Sequence, residues 1–267
     1  MLIGGHTMEG QRKQKEQLPV VATIGRLRVR IVLVACMVVF VFSLCGTVAS
    51  AQGVYVKGMT GHDVSWPTTN CMAKVPDGTA FGIVGVTGGL DFTKNNCLVF
   101  EAGEFSSPSL YMNTGFPGIT QAAIYTHAPL KCTNTNGVCV AYNYGYQAAM
   151  YALIYADSQL VHSTVWWLDV ETENSWSADY QENQATIQGM VTAIRQHVFL
   201  ATIGVYSTPL QWAEITGGWK DDLPNWVGTG STVRSDALAA CSEDDFTGGG
   251  TELTQYILQL DTDYVCR

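Results

Sequence analysis

Short apolar, β-branched runs alternate along this sequence with longer stretches of helical periodicity, and that alternation narrows the fold more than any other feature. Parallel strands need a crossover connection, and a helix is the usual element that makes it. The strand-like runs are residues 57–66, 80–86 (AFGIVGV), 110–113, 164–171 (TVWWLDVE), 201–207 (ATIGVYS), 225–228 and 253–258. Residues 142–160 are rich in Ala, Tyr and Gln at helical period. Residues 179–198 form a second helix with Ser177 or Asp179 as its cap. These runs, with one further strand sought between Cys241 and Gly248, predict an α/β fold. The expected architecture is a closed (β/α) TIM-like barrel, irregular and with few helices in its C-terminal part. A doubly wound open sheet is the alternative. No GxGxxG follows the first strand, so no dinucleotide site is expected, and no cofactor.

The first fifty residues differ in composition from the rest. Residues 1–51 carry six basic side chains (Arg12, Lys13, Lys15, Arg26, Arg28, Arg30) and two acids. Residues 31–44 are apolar except for Ser43, and Ala49-Ser50-Ala51 follows. A basic stretch, an apolar stretch and Ala-x-Ala make a secretory signal peptide cut before Gln52. The expected mature domain is residues 52–267, secreted and monomeric. The alternative is an uncleaved anchor at residues 31–48. A spanning helix wants about 20 apolar residues, and this run reaches that length only by including Gly46 and Thr47.

The whole chain, 47% hydrophobic and 14% charged, is too apolar for a disordered polymer. Its net charge of −9 comes from 14 basic and 23 acidic residues. Without residues 1–51 it has 8 basic and 21 acidic residues, net −13. That excludes nucleic acid as a partner, because its binders need a basic face. Of eight cysteines, Cys36 and Cys45 fall in the leader. The remaining Cys71, Cys97, Cys132, Cys139, Cys241 and Cys266 read as disulfides in an exported domain. Sequence alone does not fix their connectivity. Nearest-neighbour pairing gives Cys71–Cys97, Cys132–Cys139 and Cys241–Cys266. Zinc is the alternative, but no CxxC pair or His cluster supports it, so no metal is expected.

The sharpest chemical signal is Trp166-Trp167-Leu168-Asp169-Val170-Glu171. Side chains alternate along a strand, so Trp167, Asp169 and Glu171 share one face, while Trp166, Leu168 and Val170 share an apolar face that packs on helices. Two carboxylates at the C-terminal end of a barrel strand point into its mouth, where barrel enzymes place catalysis. Two like charges so close cannot both ionise freely, and one is kept as a neutral acid. Protonating a glycosidic oxygen needs such an acid. An acidic strand end facing water is the alternative. In Gly61-His62-Asp63-Val64-Ser65-Trp66 the small polar set includes Asp63, which suits a lumen-facing side chain. A turn-capping Asp is the other reading.

GHDVSW, the LDVE strand, IGVYST, PNWV and a closing QY with D-x-D resemble, in order and spacing, the glycoside hydrolase family 25 lysozymes over about residues 58–266. The resemblance is closer still to a secreted, cysteine-bearing group marked by WWLDVE-x-x-N-S-W. It implies an irregular (β/α) barrel that cleaves β-1,4 bonds between N-acetylmuramic acid and N-acetylglucosamine in cell-wall peptidoglycan, or acts on a related polysaccharide. It places the general acid at Glu171, its pKa raised by burial and by Asp169. Asp169 and Asp63 fall on the family's accompanying acids. The late acidic residue falls on Asp261 or, with a register shift, Asp263, which then contacts substrate.

Two departures stand out. The polar or acidic end of the family's second strand is replaced by Val86-Thr87-Gly88-Gly89, and the usual Trp before the late Gln-Tyr is Thr254. Tyr111, Tyr206 and Trp226, on strand ends, are the candidates for stacking on sugar rings. A non-catalytic, cell-surface glycan-binding barrel is the alternative function. His62, His127, His162 and His197 lack metal-ligand spacing, and no GxSxG elbow exists. Glu243-Asp244-Asp245 reads as a solvated acidic loop.

Overall fold

The computed structural model describes residues 55–64, 71, 75–243 and 245–267. The expected leader, and Ser65 and Trp66 at the end of the first strand run, lie outside the described residues. No helix among the described residues is long and apolar enough to cross a membrane.

Eight strands close into a barrel in chain order: β1 (Thr60–Val64), β2 (Gly82–Gly85), β3 (Ser109–Asn113), β4 (Val165–Asp169), β5 (Thr202–Ser207), β6 (Asn225–Gly228), β7 (Thr251–Ile257) and β8 (Asp261–Val265). Neighbours from β1 to β7 are parallel, whereas β8 runs antiparallel to both β7 and β1. The helices are α1 (Leu98–Gly103), α2 (Gly137–Ser158), α3 (Tyr180–His197), α4 (Pro209–Thr216) and α5 (Arg234–Glu243). Two expectations are corrected. The segment between Cys241 and Gly248 is the end of α5 and a glycine-rich turn, not a strand. The eighth strand is the chain terminus, which pairs antiparallel because it follows β7 through a turn too short for a crossover.

Period-two alternation builds two cores. Trp166, Leu168 and Val170 point outward and pack with Val84, Val86, Ile187, Ile194 and Val205 beneath the helices. Trp167 points inward with Ile83, Tyr111, Trp226 and Leu253 to fill the lumen. Local chemistry fixes the helix starts. Asp179 is the cap of α3, its carboxylate accepting from Gln181 N at 2.8 Å, while Ser177 Oγ bonds the Glu182 carboxylate. Asn136 caps α2, and Thr208 with Pro209 opens α4. Cys71 is bonded to Cys97, Cys132 to Cys139 and Cys241 to Cys266, with Cα–Cα separations of 5.1, 5.7 and 5.3 Å.

Helices α2 and α3 approach so closely that glycine is required on both sides. A Cβ on Gly145 would lie 2.0 Å from Thr186 O, and one on Gly189 2.0 Å from Tyr142 O. Both obstacles are backbone, so relief needs the helices to separate. Gly189→Ala is therefore expected to destabilise by about 1–3 kcal/mol, the usual cost of overpacking. In a domain of this size that lowers Tm by several degrees. Thermal melts read by circular dichroism check it; an unchanged Tm would show that the helices separate freely.

Candidate active site

The C-terminal ends of the parallel strands and the N-terminal end of β8 surround a cleft of about 290 Å³. Its acidic lining is Asp63 from β1, Asp169 from the last position of β4, Glu171 two residues beyond, and Asp261 from the first position of β8. Tyr111, Asn113, Tyr206, Trp226 and Gln255 complete the polar and aromatic wall. None of these lining residues is Lys, Arg or His. Among the described residues, no group of three His, Cys, Asp or Glu is arranged to hold a metal ion.

Two hydroxyl–amide relays hold the two deepest lining carboxylates. Thr87 Oγ1 donates to Asn113 Oδ1 at 2.7 Å and accepts from Asn113 N at 2.9 Å; Asn113 Nδ2 then donates to Asp169 Oδ2 at 2.5 Å. On the opposite wall, Tyr206 OH donates to Gln255 Oε1 and Gln255 Nε2 donates to Asp63 Oδ2, both at 2.8 Å. Below the cleft, Trp226 Nε1 donates to Asp263 Oδ1 at 2.8 Å. The other oxygen of Asp263 and Oδ1 of Asp169 are buried, and no N–H or hydroxyl donor reaches them. Each of these two acids instead faces the charge of a second carboxyl, Asp169 that of Glu171 and Asp263 that of Asp63, which disfavours ionisation of the buried aspartate.

Burial is the first cause of every pKa shift in the cleft. It pushes Asp63 up to about 7, with the Asp261 charge adding and the Gln255 hydrogen bond opposing. Asp169 and Asp263 are held well above the usual carboxylate range by burial and then by Glu171 and Asp63 respectively. Glu171 is raised by burial, then by the nearby charge of Glu173, while its hydrogen bond with Asp169 lowers it. This corrects the expected electrostatics: Glu173 and Asp261, not Asp169, are the neighbours that raise Glu171. Asp261 is raised by burial and lowered by His62, whose Nδ1 lies 3.0 Å from Asp261 O.

The structure brings Asp63, Asp169, Glu171 and Asp261 to one cleft. Asp63 points into the lumen and accepts from Gln255; the turn it would otherwise cap lies outside the described residues. Asp263 is fully buried beneath the cleft, so of the two late acids Asp261 is the one at the surface and Asp263 makes no direct substrate contact. Of the aromatics, Trp226 is 2% and Tyr111 7% exposed, and they pack edge-on, 6.3 Å apart. Tyr206, 4.5 Å from Trp226, is the more open ring. Thr87, Asn113, Gln255 and Trp176, whose Nε1 donates to Glu171 O at 2.8 Å, carry no site role in the sequence reading, although Thr87, Gln255 and Trp176 stand in the motifs it quotes. The signal for Asn113 was present: like Asp169, it is a polar residue closing a buried strand.

The chain has similarities to known proteins. Residues 129–238, which include Asp169, Glu171, Tyr206 and Trp226, match the family model described as Lysozyme-like protein 1. A Dictyostelium discoideum protein described as a probable GH family 25 lysozyme is 26% identical over 204 residues, covering 67% of this chain and 85% of that protein. A solved muramidase from Trichobolus zukalii aligns over 78% of this chain and 93% of its own, at 14% identity and a TM-score of 0.46. The fold and cleft define a closed α/β barrel with an acidic mouth. The chain resembles the glycoside hydrolase family 25 lysozymes.

The raised acids have a consequence for stability. Between its unfolded and folded pKa values such an acid binds more protons folded than unfolded, so stability is full at low pH and declines as pH rises through that interval. For Asp63 the interval runs from 3.8 to about 7. Asp263→Asn keeps an acceptor for Trp226 and gives Asp63 an amide donor, which lowers the Asp63 pKa and flattens the decline. Tm measured from about pH 4 to about pH 8 tests it; equal slopes in wild type and variant would sink the assignment.

Proposed function

We propose that the chain is an exported glycoside hydrolase of the lysozyme type, cleaving β-1,4 bonds in peptidoglycan or a closely related glycan. The observation that carries this reading is the convergence of Asp63, Asp169, Glu171 and Asp261 on one barrel mouth bordered by tyrosine and tryptophan. The three disulfides and the similarity to lysozymes are consistent with export. The signal-peptide reading of residues 1–51 belongs to the same proposal.

Glu171 is the general acid. It is the less buried member of its pair, and its carboxyl lines the cleft where a glycosidic oxygen would sit. As the bond between the anomeric carbon and that oxygen breaks, the proton passes from Glu171 to the leaving oxygen. Positive charge then builds on the sugar ring, and it is discharged when the oxygen of a water molecule bonds to the anomeric carbon and the proton of that water passes to the Glu171 carboxylate. Asp169 and Asp63, fixed by their amide relays, hold their oxygens beneath that ring without having to reorganise. Tyr206 and the edge of Trp226 position the sugar.

Glu171→Gln keeps the shape and cannot supply the proton, so release of reducing ends from purified peptidoglycan is expected to fall by about 10²–10⁴-fold while binding is retained. Wild-type rates in Glu171→Gln would refute the residue's role. A wild type that binds the glycan and releases nothing would make the protein a binding barrel.

A further inference from the structure

A groove lies on the outer flank of the barrel, and no residue that lines it also lines the acidic cleft. It holds about 330 Å³ between α3, the first half of α2 and the loop that joins α4 to β6. Gln188, Thr192 and Arg195 stand at i, i+4 and i+7 on α3 and so share one face of that helix. Tyr142 of α2, with Trp219 and Asp221 of the loop, completes the wall.

The wall is held rigidly. Trp219 stacks on the buried Trp212, with planes 15° and centroids 6.0 Å apart, so one ring face is covered and the half-buried ring is kept as a platform. Its backbone is fixed on both sides: Trp212 Nε1 donates to Trp219 O at 2.7 Å, and Trp219 N donates to Thr216 Oγ1 at 3.2 Å. Asp221 is fixed likewise, its N donating to Thr247 O at 3.0 Å and its Oδ1 accepting from Leu223 N at 3.1 Å. The α3 side is different. Among the described residues Arg195 makes no hydrogen bond or ion pair, although its charge acts on Asp221, and the Gln188 side-chain amide has no partner either.

These groups favour one class of ligand. An apolar ligand would cover the guanidinium and the amide without giving them partners. An anion would meet Asp221, and a cation would meet Arg195. A neutral pyranose ring suits each group. Its C–H face lies against the electron-rich indole, while its hydroxyls accept from Arg195 and pair in either sense with the Gln188 amide.

We propose that this groove is a second, non-catalytic glycan site, in which a neutral sugar ring of a β-1,4-linked chain packs on Trp219 and hydrogen-bonds Arg195 and Gln188. On an insoluble polymer a second foothold keeps the cleft close to its next bond, because rebinding is then intramolecular. The choice of a β-1,4 chain rests on the glycosidase reading, but the test reads binding and does not need turnover.

The experiment uses the full chain carrying Glu171→Gln, so that no polymer is consumed. Its partition onto insoluble purified peptidoglycan is compared with that of the same protein carrying Arg195→Ala and Gln188→Ala. Both side chains are exposed, so the double variant is expected to fold. Loss of one or two hydrogen bonds should weaken partition by about 5–30-fold. Lys131→Ala removes the same charge at an exposed position outside the groove and should leave partition unchanged. Titration with a β-1,4-linked N-acetylglucosamine tetramer, followed by NMR of the indole N–H groups, locates the contact. The Trp219 signal, assigned by its absence in Trp219→Phe, should shift in the parent and shift less in the double variant. Equal partition of parent and double variant, an equal loss in Lys131→Ala, a Trp219 signal that the tetramer does not move, or a parent that binds neither probe overturns the proposal. A wild type that releases no reducing ends, while the groove variants still lose binding, would instead overturn the glycosidase reading and leave this site standing.

Discussion

The direction of the last strand sets the arrangement of this barrel. β8 closes the circle between β7 and β1 by running against both. That reversal puts its first residue, Asp261, on the rim occupied by the C-terminal ends of the other strands, and puts Asp263 two residues deeper on the same inward face. It also carries Cys266 to the opposite end of the barrel, where it meets Cys241 near the end of α5 with Cα atoms 5.3 Å apart. A parallel eighth strand would deliver Cys266 to the rim, about 13–17 Å away by the rise of five strand residues. The disulfide and the late acids are therefore two consequences of one strand direction.

The cleft then has to accommodate five carboxyl groups, four lining it and one below. Ion pairs would be the simplest solution, but a guanidinium or ammonium beside these acids would lower their pKa values and remove the protons that acid chemistry needs. The barrel uses amides and hydroxyls instead. Asn113 and Gln255 each give one hydrogen bond to an aspartate, and each is oriented by a hydroxyl, from Thr87 and Tyr206. An amide carries no net charge, so it fixes a carboxylate in place while leaving much of the effect of burial intact. Asp169 Oδ1 and Asp263 Oδ2 are left buried without a donor, so burial and the neighbouring carboxyls keep both acids above the usual range.

How much of this the sequence makes legible depends on which face a residue serves. In β4 the outward side chains Trp166, Leu168 and Val170 are apolar and the inward acids stand at the strand end, so alternation alone orients Asp169 and Glu171. In β8 the pattern is inverted. Asp261 and Asp263 occupy the inward face because it lines or underlies the cleft, and the segment Asp-Thr-Asp-Tyr-Val carries little of the apolar signal by which buried strands are recognised. Asn113, Thr87 and Gln255 are quiet for another reason: each is an ordinary polar residue in or just beyond a short strand, and only closure of the barrel brings it against an acid. Asp263 fails as a substrate contact for the same reason, since the sequence gives its face but not its depth.

Depth also separates the two acids of the central pair. Asp169 sits within hydrogen-bonded sheet, its strand registered against both β3 and β5. Glu171 is on the turn, but its backbone is tightly held: its carbonyl accepts from Trp176 Nε1 at 2.8 Å and from Asn174 N at 3.2 Å. One residue earlier, Val170 N donates to Tyr206 O and Val170 O accepts from Ser207 Oγ. The main chain of Glu171 is thus nearly as constrained as that of a strand residue, and its longer side chain reaches the cleft from there. The WWLDVExxNSW sequence encodes both halves of this arrangement: the strand supplies the deeper acid, and Asn174 and Trp176 pin the turn that carries the more open one.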